Sequence, residues 1–185
     1  VGGAGAQKRT AVDALRSLRG RIRRNELRLI LIAGTRRDVA KYFESAVRQQ
    51  RLGDALKRGA IRILYESERH AYFAAFSQAM RETDILWTKP SELSFYTGLG
   101  LPIIMSEPIG SQEDFNREWL RQVGSGIDQL DPAYAGEWLW DWIMSGALAR
   151  MAWSGYIEAP THGTYRIESV IKGNPIELDP PPLVA

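Results

Sequence analysis

A mainly parallel α/β sheet flanked by helices is the fold class this chain predicts, and three observations carry it. Short apolar runs near residues 28–33, 61–65, 85–87 and 103–105 are bounded by turn residues and are too short for helices, so they read as buried strands. Longer segments with apolar residues at helical spacing separate them, as crossover helices between parallel strands require. The segments after the third and fourth runs, Thr88-Lys89-Pro90-Ser91 and Glu107 to Asn116, are polar and punctuated by Gly and Pro. In an open α/β sheet ligands bind beyond the carboxyl ends of the strands, where these loops would be displayed. The expected architecture is Rossmann-like, three layers with C-terminal helices appended.

The first element is a helix at about Thr10 to Leu18, preceded by Val1-Gly2-Gly3-Ala4-Gly5-Ala6-Gln7. That opening reads as the last residue of a strand followed by a Gly-rich turn. Small residues there let backbone N–H groups approach an anion, which a following helix N-terminus favours. The cationic run Arg16 to Arg24 suits a solvated helix C-terminus; contact with anionic lipid headgroups is its alternative reading. Leu27 to Thr35 supplies the next strand and its turn, and Asp38 to Gln50 a helix with Val39, Tyr42, Phe43, Ala46 and Val47 on one face. Ala60 to Tyr65 is a strand, and Ser67 begins a helix lasting to about Met80. Tyr65 reads as a strand-end core residue, and His70 as a capping or surface residue at a helix start.

After the central loops the character changes. Tyr134 to Trp153 holds Trp138, Trp140, Trp142 and Trp153 among good helix formers. Trp138 and Trp142 share a face with Ser145 and Ala149, while Trp140 points elsewhere. Such a helix wants a second surface to bury against. Local core packing is one solution; pairing with another copy of the chain is the other. Ile157 to Gly173 is expected as a further helix, and Asn174 to Ala185, with Pro175, Pro180, Pro181 and Pro182, as an extended end. The organisation expected is therefore a ligand-binding α/β domain at 1–130, a helical segment at 131–173 packing on it, and a Pro-rich tail at 174–185.

Composition narrows the chemistry. The 185 residues, 44% hydrophobic and 25% charged, suffice for one domain with a sizeable core. No apolar run approaches the ~20 residues of a membrane-spanning helix, and no signal peptide is visible, which points to a cytoplasmic chain with at most a peripheral membrane contact. Cys is absent, which removes disulfides, thiolate metal sites and Cys nucleophiles. With only His70 and His162, no protein-borne metal site is expected. A net charge of +2 is too balanced to argue for nucleic acid.

Three stretches carry a resemblance: Asp84-Ile85-Leu86-Trp87-Thr88-Lys89, Gly100-Leu101-Pro102-Ile103-Ile104, and Ile109-Gly110-Ser111-Gln112-Glu113-Asp114-Phe115-Asn116. Together they resemble the sugar-nucleotide-binding C-terminal half of two-domain (GT-B) glycosyltransferases, in particular the monogalactosyldiacylglycerol synthases and the peptidoglycan N-acetylglucosaminyl transferase. The likeness spans roughly residues 1–127. It implies transfer of a hexosyl group from a nucleoside diphosphate sugar, a UDP-sugar by preference, with that donor as substrate and no other cofactor. It also implies an acceptor-binding domain of the same protein on the N-terminal side, holding the general base, so that this part alone is not a complete catalyst.

The resemblance assigns Gly2, Gly3 and Gly5 to the donor diphosphate and the backbone near Leu64 and Tyr65 to the uracil. Thr88, Lys89 and Ser91 bring hydroxyls, a cation and free N–H groups suited to phosphate. Gln112, Glu113 and Asn116 bring donors and acceptors that can read sugar hydroxyls, although Ser111 and Glu113 also suit a helix N-terminus. The chain departs from the pattern in a shorter loop after Lys89 and at the Glu that holds the ribose, where it has Phe95. Glu92 is the nearby substitute. Two other classes stay open: a sugar-nucleotide epimerase or hydrolase on the same scaffold, and a binding domain that has lost catalysis.

Overall fold

The computed structural model describes residues 7–91, 93–160 and 163–173. Gly2, Gly3, Gly5, Glu92, His162 and the Pro-rich segment from Asn174 lie outside the described residues. Strand β1 (Leu29–Gly34) is followed by helices α2 (Arg37–Gln49) and α3 (Gly53–Lys57), then β2 (Ile61–Tyr65) and α4 (Arg69–Met80). Next come β3 (Leu86–Thr88), α5 (Ser94–Gly98), β4 (Ile103–Met105), α6 (Ser111–Val123) and β5 (Gly126–Asp128). Helix α1 (Lys8–Arg23) precedes them, and α7 (Ala135–Met144), α8 (Ala147–Glu158) and α9 (Gly163–Ile171) close the chain.

Every strand pairing is parallel, as the alternation of short apolar runs with helices requires. Among the described residues, however, the strands pair as two sheets rather than one, β1–β2 and β3–β4–β5. Leu29 lies opposite Ile61 in the first; Leu86 lies opposite Ile103, and Ile103 opposite Gly126, in the second. Both sheets share one helical layer. Leu29, Leu31 and Ala33 of β1, Trp87 of β3 and Ile104 of β4 belong to one apolar cluster with α1, α2, α7 and α8. The opposite face is divided. Leu86, Ile103 and Met105 pack with Leu93 and Leu120, whereas Ile32 and Leu64 pack with Ala79 of α4. A Phe76–Tyr96 edge contact, 6.3 Å between ring centres, joins the two neighbourhoods.

The helices follow from their apolar faces. Ala11, Ala14, Leu15, Leu18 and Ile22 of α1 recur at three- and four-residue spacing and are buried, and this helix runs longer than the Thr10 to Leu18 segment because Ile22 extends the same stripe. The crossover helix between β3 and β4 shrinks to the five residues of α5. The Trp-rich segment is two helices, since the chain turns at Ser145 and at Gly146 with its positive φ of 73°. The last helix begins only at Gly163, and Ile157 completes α8 instead.

Helix α7 packs on the sheet's helical layer rather than standing free. Trp138 meets Trp87 edge-on at 5.2 Å and Trp142 at 4.6 Å, and its Nε1 donates to the Asp131 carbonyl at 2.9 Å. Trp140 faces away and carries the Arg21 guanidinium 3.7 Å from its ring centre. Gly136 lets α7 approach α1 closely: a Cβ there would meet the Ser17 carbonyl at 2.9 Å. Gly155 does the same for α8 against Ser125 and Thr97.

Candidate functional site at the carboxyl edge of the second sheet

The second sheet has strands of only three residues, so its ladders contribute few hydrogen bonds and its carboxyl-end loops are held by side chains instead. After β3 the chain presents Thr88 and Lys89, both half-buried, then buried Pro90 and exposed Ser91. After β4 it runs through Ser106 to Gly110, whose φ of 97° opens α6. Lys89 and Glu113 meet across these loops: Lys89 Nζ lies 2.6 Å from Glu113 Oε1. The other carboxylate oxygen accepts from the Ile109 N–H at 2.6 Å. One turn along α6, Asn116 Nδ2 donates to the carbonyls of Pro90 and Ser91, each at 3.0 Å.

Glu113 thus closes the start of its own helix. No side chain of Gly110 can cap α6, and the carboxylate at the third helical position reaches back to the amide before the cap, a displaced version of a capping box. Ser111 is the first helical residue rather than its cap. Burial pushes the Glu113 carboxyl up, but the Lys89 hydrogen bond, the Ile109 amide and the Lys89 charge together outweigh it and hold the group below its usual value. Its side chain is only 13% exposed. Farther along α6, Arg117 grips Asp128 at the end of β5 through two hydrogen bonds of 2.6 and 2.7 Å, and Arg121 also bonds Asp128. The Arg117 hydrogen bond, against burial and with help from Arg121, holds the Asp128 carboxyl below its ordinary value.

The predicted site residues therefore separate into groups. Thr88, Lys89, Ser91, Gln112, Glu113 and Asn116 stand together at the carboxyl edge of β3 and β4, with Gln112 exposed. Leu64 and Tyr65 end β2 in the other sheet. Leu64 is 5% exposed in the core with Ile32 and Ala79, and Tyr65 packs against the main core, so neither presents its side chain to the loops. Glu92, Gly2, Gly3 and Gly5 lie outside the described residues. Phe95, at the position where the resembled pattern has a ribose-binding Glu, is exposed and rests edge-on against Tyr96.

Two features were not legible as part of the site. Glu113 and Lys89, assigned to sugar and phosphate separately, are each other's partners, because loops 24 residues apart converge only in the folded chain. Ser106, the residue after β4, is 5% exposed and its hydroxyl has no partner, a buried unsatisfied group in the loop that leads to α6. Among the described residues no three His, Asp or Glu side chains gather as a metal site would need, and no helix is long and apolar enough to cross a membrane. No family model, curated protein or solved structure matches the chain.

Proposed function

We propose that this chain is the donor-binding half of a GT-B-type glycosyltransferase and that it holds a nucleoside diphosphate hexose, by preference a uridine conjugate, at the carboxyl edge of β3 and β4. The observation that carries the reading is the joining of Lys89 to Glu113 and of Asn116 to the Pro90 and Ser91 carbonyls in one loop cluster at the carboxyl ends of parallel strands, with exposed Gln112 next to Glu113 in the first turn of α6. A diphosphate entering beside Lys89 competes with Glu113 for the ammonium. Once displaced, the Glu113 carboxylate is free to accept from two sugar hydroxyls while Gln112 donates and accepts beside it. The Lys89–Glu113 pair is the resting state of such a site: it keeps a half-buried cation and a carboxylate neutralised until a doubly charged phosphate group takes over the cation.

In the transfer itself the bond from the sugar C1 to the phosphate oxygen breaks and the diphosphate leaves with its electron pair. An acceptor hydroxyl forms the new C1–O bond and gives its proton to a base. Under this reading Lys89 and the first amides of α6 stabilise the leaving diphosphate, whereas acceptor and base belong to the N-terminal domain of the two-domain enzyme.

A binding domain without catalysis is the second reading, favoured by Phe95 where a ribose-binding carboxylate would stand. Titration calorimetry with uridine, guanosine and adenosine diphosphates and a uridine diphosphate hexose separates them. The transferase reading expects a uridine preference and a further gain from the hexose that Glu113→Ala removes. An equal response to all three nucleotides favours the second reading, and no heat at millimolar ligand sinks both.

A further inference from the structure

The net charge of +2 conceals a segregation. Residues 1–60 hold 15 Lys and Arg against 5 Asp and Glu, whereas residues 61–185 hold 9 against 17. Part of the surplus stands on one surface. Arg9, Arg16, Arg19 and Arg23 of α1 recur at intervals of seven, three and four residues, which puts them on a single side of the helix. All four are exposed, opposite the stripe that α1 buries in the core. The row spans about 21 Å of helix.

Little of this charge is neutralised from within. Arg9 and Arg19 have no carboxylate partner among the described residues. Arg16 meets Asp13 at 3.4 Å with both side chains well exposed, a pair that contributes little in water. Arg23 donates to the carbonyls of Gln50 and Arg51 at 3.2 and 3.4 Å, and Arg58 to those of Ile22 and Arg23 at 2.6 and 3.2 Å. Carbonyl partners fix a guanidinium without cancelling its charge. The helix dipole accounts for Arg23 and Arg58 at the C-terminus of α1 but not for the rest of the row. Lys8 and Arg9 lie in the first turn, which holds no acidic residue, where the dipole disfavours cations. Helix α2 lies alongside: Lys8 Nζ is 5.3 Å from the Tyr42 ring centre, and Arg23 reaches the chain just beyond the end of α2.

We propose that this face of α1 is a docking surface for the phosphodiester backbone of a nucleic-acid duplex, held without regard to base sequence. Charge complementarity selects the partner. Of the 15 cations in residues 1–60, 12 are Arg, whose planar guanidinium matches two phosphate oxygens at once. A duplex carries one negative charge per ~1.7 Å of its axis, a continuous line of charge that a straight row of cations can follow. A bilayer fits less well, because helices that lie on membranes insert apolar side chains beside their cations. Among residues 7–60 Tyr42 is the one exposed large hydrophobic, and Lys8 covers its ring; the apolar stripe of α1 is already in the core. The row consists of cations alone, so its contacts position the duplex and read no bases. This inference is independent of the sugar-nucleotide reading: α1 leads to the amino end of β1, whereas the candidate donor site stands at the carboxyl ends of β3 and β4.

The test is fluorescence anisotropy with two unrelated DNA duplexes of about 20 base pairs, titrated with the 185-residue chain between ~50 and ~200 mM KCl. With four phosphates neutralised, log K should fall with log salt at a slope of about −3.6, a loss of roughly a hundredfold over that range, equally for both sequences. The double variant Arg9→Gln/Arg19→Gln should flatten the slope by about two. A control double variant, Arg69→Gln/Arg81→Gln on the exposed side of α4, should leave it unchanged. Circular dichroism checks the fold; if the first double variant loses helix, each single variant should flatten the slope by about one. The proposal is overturned if the parent chain does not bind, if its slope is shallower than about −2, or if the control flattens it as much as the α1 variant. Capture by phosphatidylserine vesicles without duplex binding also overturns it and makes a lipid surface the occupant. Displacement of the duplex by uridine diphosphate at constant ionic strength would place it at the donor site instead and overturn the assignment to α1.

Discussion

The two sheets solve the same packing problem in different ways. In β1–β2 the strands are five and six residues long, their side chains are mostly apolar, and the loops beyond them are tied mainly by backbone, as when Glu66 N–H donates to the Gly34 carbonyl. In β3–β4–β5 three-residue strands leave little ladder, and charged and polar side chains do the joining: Lys89 to Glu113, Asn116 to the Pro90 and Ser91 carbonyls, and Arg117 to Asp128. A short strand cannot fix its own loops, so a polar loop cluster there needs side-chain cross-links. Those cross-links are also the groups that can exchange a protein partner for a ligand.

That contrast predicts unequal responses to mutation. Phe43, fully buried beneath the first sheet, should be the costliest site: Phe43→Ala is expected to lose about 3–5 kcal/mol in urea unfolding, and a loss under ~1 kcal/mol would show that α2 is not part of the cooperative core. Arg117→Ala strands a partly buried carboxylate that only Arg121 then serves. It should cost roughly 1–2 kcal/mol, and a double-mutant cycle with Asp128→Asn should recover most of that as coupling.

Glu113→Gln should cost about 1 kcal/mol or less in stability, since Lys89 is 24% exposed and can be hydrated. Under the proposed function it should also tighten uridine diphosphate by a few-fold, because Lys89 no longer has a charged competitor, and erase the additional gain from the hexose. Weaker nucleotide binding in this variant would mean that Glu113 positions Lys89 rather than competing for it. At the small end, Arg36→Ala removes an ion pair with Asp38 in which both side chains are about half exposed or more, and no change in Tm beyond experimental scatter is expected.

Acid should discriminate between the sheets as well. Glu113 and Asp128 both have carboxyl groups held below their ordinary values, so the folded state binds fewer protons than the unfolded one. Their stabilisation is fully present above the usual carboxylate values near ~4 and is lost as pH falls through the lower folded-state values. Amides of β4, β5 and α6 should therefore lose exchange protection at a higher pH than those of β1, β2 and α2, and simultaneous loss would remove the distinction drawn here.

Much of the fold was legible because it depends on local pattern. The runs at 28–33, 61–65, 85–87 and 103–105 became β1 to β4 within about a residue, and Val39, Phe43, Ala46 and Val47 of α2 are buried as their spacing predicts, whereas Tyr42 on the edge of that stripe is exposed. Strand β5 was not legible. Gly126-Ile127-Asp128 carries a single apolar side chain, and it is a strand because Ile103 to Met105 of β4 pair with it. The break between α7 and α8 was likewise missed, although Gly146 marks it. In the candidate site, the residue types and their place in loops after strands could be read from the order of residues; the pairing of Lys89 with Glu113 could not, since nothing local links them.

The amino-acid sequence by itself determined the class of fold, the positions of most strands and helices, and the polar loops after β3 and β4, because periodicity, turn residues and apolar runs act over a few neighbouring residues. Tertiary structure alone decided that the described strands pair as β1–β2 and β3–β4–β5, that α7 lays Trp138 on Trp87, and that Glu113 and Asn116 hold the loop after β3. Those outcomes depend on which distant surfaces meet. Apolar burial rewards any contact of sufficient area, so the choice among partners is made by the shapes and hydrogen bonds of the assembled chain rather than by the composition of any one segment.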